Sequence, residues 1–162
     1  MASRAGSVLV LWAPRFDEVT AAIFVAGLRS AGLRVALVSL SRQQAGGSHG
    51  LSLVPDLTLE DALPLAGEVA CVVIPCNSPD VRRLARDPRV RELLCRVQAH
   101  RAAVVVGQAA APILAELQLT LPSYGDLLTF SPDEGLAQLA GELAGELLQE
   151  IHYTQARLRK ER

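Results

Sequence analysis

Cys76 stands just past an apolar, β-branched run, Val69 to Ile74, with Asn77 beside it, so a thiol and an amide donor meet where a buried strand should end. A thiol there is a candidate nucleophile or redox group, and the amide a candidate donor to an oxyanion. No histidine is near in sequence and no basic residue follows before Arg82, which favours a plain space-filling cysteine. Asp17 and Glu18 are a second candidate pair, suited to acid–base work. Carboxylates at a helix start also cap it and meet its dipole, and that role is expected of both. The third place is Val104 to Leu117, VVVGQAAAPILAEL, a strand running into a helix through Gln108 and Ala109. A nucleophile in such a turn gains from the helix dipole, but neither an amide nor a methyl group is one. Trp12 and Arg15 close the set: Trp12 to shape a cleft mouth, Arg15 to attract a carboxylate. The expected ligand-cleft residues are therefore Trp12, Arg15, Cys76, Asn77, Gln108 and Ala109.

Other chemistries find little support. Cys71, Cys76 and Cys95 are odd in number and lack paired ligand spacing, so neither a disulfide framework nor a metal site is expected. Cys71 and Cys95 fall on apolar faces and read as core. Ala13-Pro14-Arg15 occupies the place of a glycine-rich phosphate loop, so no nucleotide is indicated, and no cofactor is expected. His49, beside glycines in the stretch Gln43 to Gly50, could reach a cleft, but a solvated loop residue is the commoner reading; His100 and Arg101 close a helix. Of the three thiols, Cys76 is expected to be the most accessible, with an ordinary pKa of about 8 to 9. The formal net charge of -1 gives no reason to expect nucleic acid or a membrane surface as partner. The apolar run near the amino end is too short for a signal-peptide core, so a cytoplasmic location is expected.

The elements that must position these residues follow from periodicity. At 162 residues, half of them apolar, the chain suits one domain spanning residues 1–162. Ser7 to Trp12, Arg34 to Leu40, Val69 to Ile74 and Ala102 to Val106 read as strands buried on both faces. Asp17 to Ala31, Pro79 to His100 (broken near Asp87-Pro88) and Gln108 to Leu117 read as the helices between them, with Gly32 closing the first. Strands alternating with helices require right-handed crossovers. The expected fold class is α/β, a doubly wound, mostly parallel sheet flanked by helices in a three-layer sandwich. Its ligand site belongs at the carboxyl ends of the strands, after Trp12, Ile74 and Val106.

Gly125 to Phe130 reads as a last strand, and Ser131-Pro132-Asp133-Glu134 as the capped start of a long helix from about residue 132. Leu136, Leu139, Ala140, Leu143, Leu147, Leu148 and Ile151 make its apolar stripe. Ala137, Gly141 and Gly145 form a small-residue row expected to pack on the sheet. Unbroken from Asp133 to Lys160, this helix would be about 42 Å long and would project past a strand of roughly 20 Å. An intersubunit contact through Leu147, Ile151 and Leu158 is expected.

Three segments carry a resemblance. SVLVLWAPRFDEVTAAIFVAGLRSAGLRVALVSL, with its turn Phe16-Asp17-Glu18-Val19, GLSLVPDLTLEDAL, and the pair VVIPCNSPDVRRLARDPRVRELL and VVVGQAAAPILAEL are similar in order and spacing to the PfpI intracellular-protease family. That family includes the Parkinson-disease deglycase and belongs to the class I glutamine amidotransferase-like superfamily. The resemblance implies a flavodoxin-like fold, a homodimer, a cysteine nucleophile in the strand-to-helix turn, an acid that hydrogen-bonds it, and a glycine pair after the third long strand. Here Ala109 matches the nucleophile, Thr20 the acid, and Cys76-Asn77 the glycines. The chain is also short between Leu117 and Asp126, where the family runs through a longer excursion carrying a histidine.

The pattern therefore points to a non-catalytic PfpI-like domain that binds a small molecule or a protein. One alternative is a cysteine-dependent hydrolase or glyoxalase-like enzyme using Cys76 and Asn77, with Asp17 or Glu18. Another is an assembly subunit acting through the C-terminal helix.

Overall fold

The computed structural model describes residues 6–119, 126–133 and 135–160, and only the backbone of Leu158. Its centre is the first apolar run. Strand β1 (Ser7–Trp12) is buried from Val8 onward, because both its faces are covered. It pairs in parallel with β2 (Arg34–Ser39) on one side and with β6 (Val69–Ile74) on the other. β2 pairs with the short β5 (Leu57–Thr58), β6 with β7 (Ala103–Gly107), and β7 with β8 (Leu127–Phe130), all in parallel. The sheet order is β5-β2-β1-β6-β7-β8.

From β1 the chain moves outward in one direction to β2; from β6 it moves in the other to β7 and β8. Right-handed crossovers then put the intervening helices on opposite faces, giving the three layers expected. The first crossover is α1 (Glu18–Ser30), capped by Asp17 and followed by Gly32 at φ 89°. Between β5 and β6 lie α2 (Leu59–Ala62) and a 3₁₀ segment, Leu63–Glu68. The β6-to-β7 crossover breaks at Asp87-Pro88 into α3 (Ser78–Leu84) and α4 (Pro88–Ala99), as the proline requires. Residues 43–50, which read as an open loop, instead hold β3 (Ala45–Gly46), which pairs antiparallel with β4 (Ser52–Leu53).

The last helices differ from expectation. α5 is only Ala111–Glu116, because Gln108 to Ala110 form the turn that leads into it. α6 (Leu136–Lys160) begins later than residue 132: Pro132 and Asp133 form a turn, and the carbonyl of Gly135, at φ 55°, accepts from the Leu139 N–H. Gly125 and Glu134 lie outside the described residues. Leu136, Ala140, Leu143 and Leu147 of the stripe are buried as read, and Leu139 partly so; the helix packs against α1, which offers Gly27 where Ala140 crosses. A methyl on Gly27 would lie 3.0 Å from the Ala140 Cβ. The row Ala137, Gly141 and Gly145, by contrast, faces outward, with nothing near either glycine. Leu147 is 3 % exposed inside its own chain, which removes it from any intersubunit contact. Ile151 is half-buried over Gly6 and Ala70, and the side chain of Leu158 is outside the described residues. Beyond Ile151, Tyr153 is largely exposed while Thr154 and Gln155 stay half-buried, and Tyr153 and Thr154 line a cavity with Gly67 and His100.

Candidate functional site

The strand order turns back between β1 and β6, and a cavity of about 300 Å³ opens at their carboxyl ends, where such sheets hold ligands. Its parts come from four turns. The turn after β1 gives Asp17, and the start of α1 gives Thr20. The turn after β6 gives Pro75, Cys76 and Asn77. The β7-to-α5 turn gives Gly107 to Ala110, and the end of β8 gives Phe130 and Pro132. Ser48 and His49 of the β3–β4 hairpin form the remaining wall. Backbone bonds tie these turns together: the Asp17 N–H donates to the Pro75 carbonyl (2.8 Å), and the Gln108 N–H to the Phe130 carbonyl (2.9 Å). Ser78 Oγ donates to the Ala109 carbonyl (2.8 Å), and Arg82 holds Glu116 through two bonds, joining α3 to α5. A larger cavity of about 340 Å³ lies at the other end of the sheet, beside Gly6, Ala70 and His100, away from the strand ends that face ligands.

Asp17 caps α1 as its position predicts. Oδ1 accepts from the Val19 and Thr20 N–H groups, and Oδ2 accepts from Thr20 Oγ1 at 3.0 Å. Glu18 does something else. Its side chain is 1 % exposed, turned away from the helix end and under the hairpin. Oε1 accepts from the backbone of His49 (2.7 Å) and Leu51 (3.2 Å); Oε2 meets Ser48 Oγ (3.4 Å) and His49 Nδ1 (3.3 Å). Burial alone would push this carboxyl up. The backbone N–H groups of Glu18, Leu51 and His49, with the His49 ring, outweigh it and hold the pKa at about 2. A buried carboxylate is stable only with such a set of donors, and the hairpin supplies it.

Ligand atoms of Asp17, Glu18 and His49 come within 4.8 Å of one another. Three such groups resemble a cation site, but the carboxylate oxygens already accept the bonds described above, so a cation would have to displace them.

Cys76 lines the cavity, yet it is only 5 % exposed. Burial pushes its thiol up to about 12, against a hydrogen bond from the Ala13 backbone; Asp80 and Asp17 push the same way as burial. The expected ordinary, accessible thiol is therefore corrected: Cys95, half-exposed on α4, is the more open one. Asn77 caps α3, its side-chain oxygen accepting from the Asp80 N–H, so that oxygen already has a partner. Trp12 is no part of the cavity mouth. It is fully buried, its ring stacked on Phe16 at 4.6 Å, because burying two rings together outweighs exposing one. Arg15 also stands apart from the cavity, exposed at φ 69°, with its backbone N–H on the Gly46 carbonyl.

The sequence profile of the DJ-1/PfpI family matches residues 6–119, the stretch that builds β1 through α5. The chain belongs to the DJ-1/PfpI family. None of the curated proteins compared matches it. Among solved structures it is similar to a DJ-1 superfamily protein from Salmonella typhimurium, crystallised as a cysteine-to-alanine mutant, with 21 % identity, TM-score 0.70, and 95 % of this chain and 98 % of that one covered. It is also similar to DJ-1beta from Drosophila melanogaster (20 % identity, TM-score 0.66, 92 % and 96 % covered) and to oxidised DJ-1 from Toxoplasma gondii (18 %, 0.67, 96 % and 95 %). At these identities the likeness is one of fold.

In this DJ-1/PfpI domain the positions that the family pattern singles out, Thr20, Cys76, Asn77 and Ala109, line one cavity. The turn through Ala109 carries no left-handed residue: among the described residues other than glycine, only Arg15, Arg101 and Gln118 have positive φ. A nucleophile elbow is a strained turn, and this one is relaxed. His49 stands in the cavity wall, the less favoured of its two expected places; nothing local in the sequence decides between them, since its partner Glu18 lies 31 positions away.

Proposed function

We propose that this DJ-1/PfpI domain is a non-catalytic binding module that takes a small polar molecule into the cavity at the β1–β6 switch point. The observation that carries this reading is Ala109: the cavity is kept, but the position matching the nucleophile is an exposed methyl in a relaxed turn. Hydroxyls and amides of Thr20, Ser48, Asn77 and Gln108 offer hydrogen bonds on one side, against Pro75, Phe130 and Pro132 on the other. No lysine or arginine is among the described lining residues, so a neutral ligand suits it better than an anion.

Turnover of methylglyoxal, glycated amino acids and reporter peptides should match buffer, while short polyols or amides at millimolar concentration should shift backbone resonances of residues 17–20, 48–49 and 107–110 saturably. Turnover that disappears in Cys76→Ser but survives Cys71→Ser and Cys95→Ser would instead establish the enzyme reading. His49 favours that alternative by sharing the cavity with Cys76; the burial of the thiol opposes it.

Family membership supports a cytoplasmic homodimer as part of the proposal, read as a native mass of two chains. The end of α6, with Tyr153, Arg159 and Lys160 exposed, is what supports the assembly-subunit reading. Among the described residues no helix is long and apolar enough to cross a membrane.

A further inference from the structure

From Ser41 to Thr58 no residue is buried, a long interval without a fully buried apolar anchor in a domain whose central strands β1, β6 and β7 are almost wholly buried. Ala45, Leu53 and, at its far end, Leu57 reach the core, and all three are partly exposed. The centre of this segment is held to the turn after β1. The Arg15 N–H donates to the Gly46 carbonyl (2.8 Å) and the Ser48 N–H to the Phe16 carbonyl (2.9 Å). All the other hydrogen bonds described between the hairpin and that turn converge on one carboxylate, Glu18, which receives Ser48, His49 and Leu51. Gly47 passes so close that a methyl there would overlap the Glu18 carboxylate. The carboxyl end of the segment is fixed separately: Asp56 binds Arg29 and the Leu37 N–H, and Leu57 pairs with Val38.

We propose that residues 45–53 are a hinged wall of the cavity, latched by the Glu18 carboxylate, and that a ligand enters and leaves by release of this wall. Ser48 and His49 are cavity wall and latch partners at once, so freeing them from Glu18 opens the cavity. A carboxylate suits a reversible latch. When the hairpin lifts, water reaches the oxygens and replaces the lost donors, so the charge is not stranded. Segments with few buried apolar contacts open locally at far less free energy than the whole fold. The purpose of the wall rests on the binding reading above, but its movement does not, and the test reads movement without ligand.

Two readouts are taken on the full chain: hydrogen exchange of residues 45–53, and iodoacetamide labelling of each cysteine by peptide mass. The variants are Glu18→Gln, which weakens the latch from the core, and Gly47→Ala, which crowds it from the hairpin. Both should raise hairpin exchange and Cys76 labelling at least about tenfold, the effect of losing one hydrogen bond to a charged group. Exchange in β1 and β6, and the protection of Cys71, should stay as in the parent. The proposal fails if hairpin exchange is unchanged in both variants. It fails equally if the hairpin loosens while Cys76 labelling stays constant, since the wall would not govern access, or if Cys71 and the central strands open in parallel, since Glu18 would then hold the whole fold. Absence of ligand binding would leave all of these readouts unmoved.

Discussion

Restoring a thiol at position 109 would not restore its surroundings. Thr20 Oγ1 donates to Asp17 Oδ2, so the place matched to the acid partner offers a hydroxyl whose proton is engaged. We expect Ala109→Cys to label quickly with iodoacetamide, since residue 109 is exposed, and still to leave methylglyoxal turnover at the buffer rate. Glu18 gives a second test at this scale. Its carboxyl is held at about 2 in the folded chain against an ordinary 4.5, so it stabilises the fold fully above about pH 4.5 and loses that contribution as pH falls toward 2. Urea midpoints measured across this window should fall less steeply in Glu18→Gln than in the parent, the remaining slope coming from Asp61, Asp87 and Glu116, whose carboxyls are also lowered. Asp17 was legible in the sequence because capping is local: the acid, the helix start and the N–H groups it receives lie within four residues. The Glu18–His49 pair was not, because it forms only once the hairpin folds back across the end of β1. Trp12 misled for a related reason. A strand end marks where a side chain stands, but its fate depended on Phe16 closing over it.

At the level of elements, periodicity carried most of the reading. Four runs of buried strand fix the central sheet, and the Asp87-Pro88 break falls where proline dictates. α6 shows the limit: its apolar stripe was legible, its outward row of small residues was not. Both rows have helical spacing, and only the position of α1 decides which one turns inward. Leu143→Ala should therefore cost about 2–5 kcal/mol by urea unfolding, as expected for a buried leucine. Glu146→Ala, on the exposed face, should stay within about 0.5 kcal/mol. Gly27→Val tests the crossing itself. With Ala140 at 3.0 Å from the first added carbon, the helices must separate, at a cost of about 1–3 kcal/mol.

Across the whole molecule, α6 is both wall and overhang. Cutting the chain after Gln149 keeps Leu147 in the core and removes Ile151 from above Gly6 and Ala70. Unfolding should stay cooperative, with the urea midpoint lowered by the equivalent of about 1–2 kcal/mol, chiefly for the partly buried Ile151, with the half-buried Thr154 and Gln155 lost beside it. The same arrangement sets a schedule for synthesis. α1 emerges early from the ribosome with an apolar face made for a helix not yet translated, and β1, in the middle of the sheet, waits for β6. At about 5–20 residues per second, the 25 residues of α6 take roughly one to five seconds to make. For that interval the nascent domain carries a finished sheet with an uncovered flank, and this is when a chaperone, or a neighbouring nascent chain, would compete with α6 for α1.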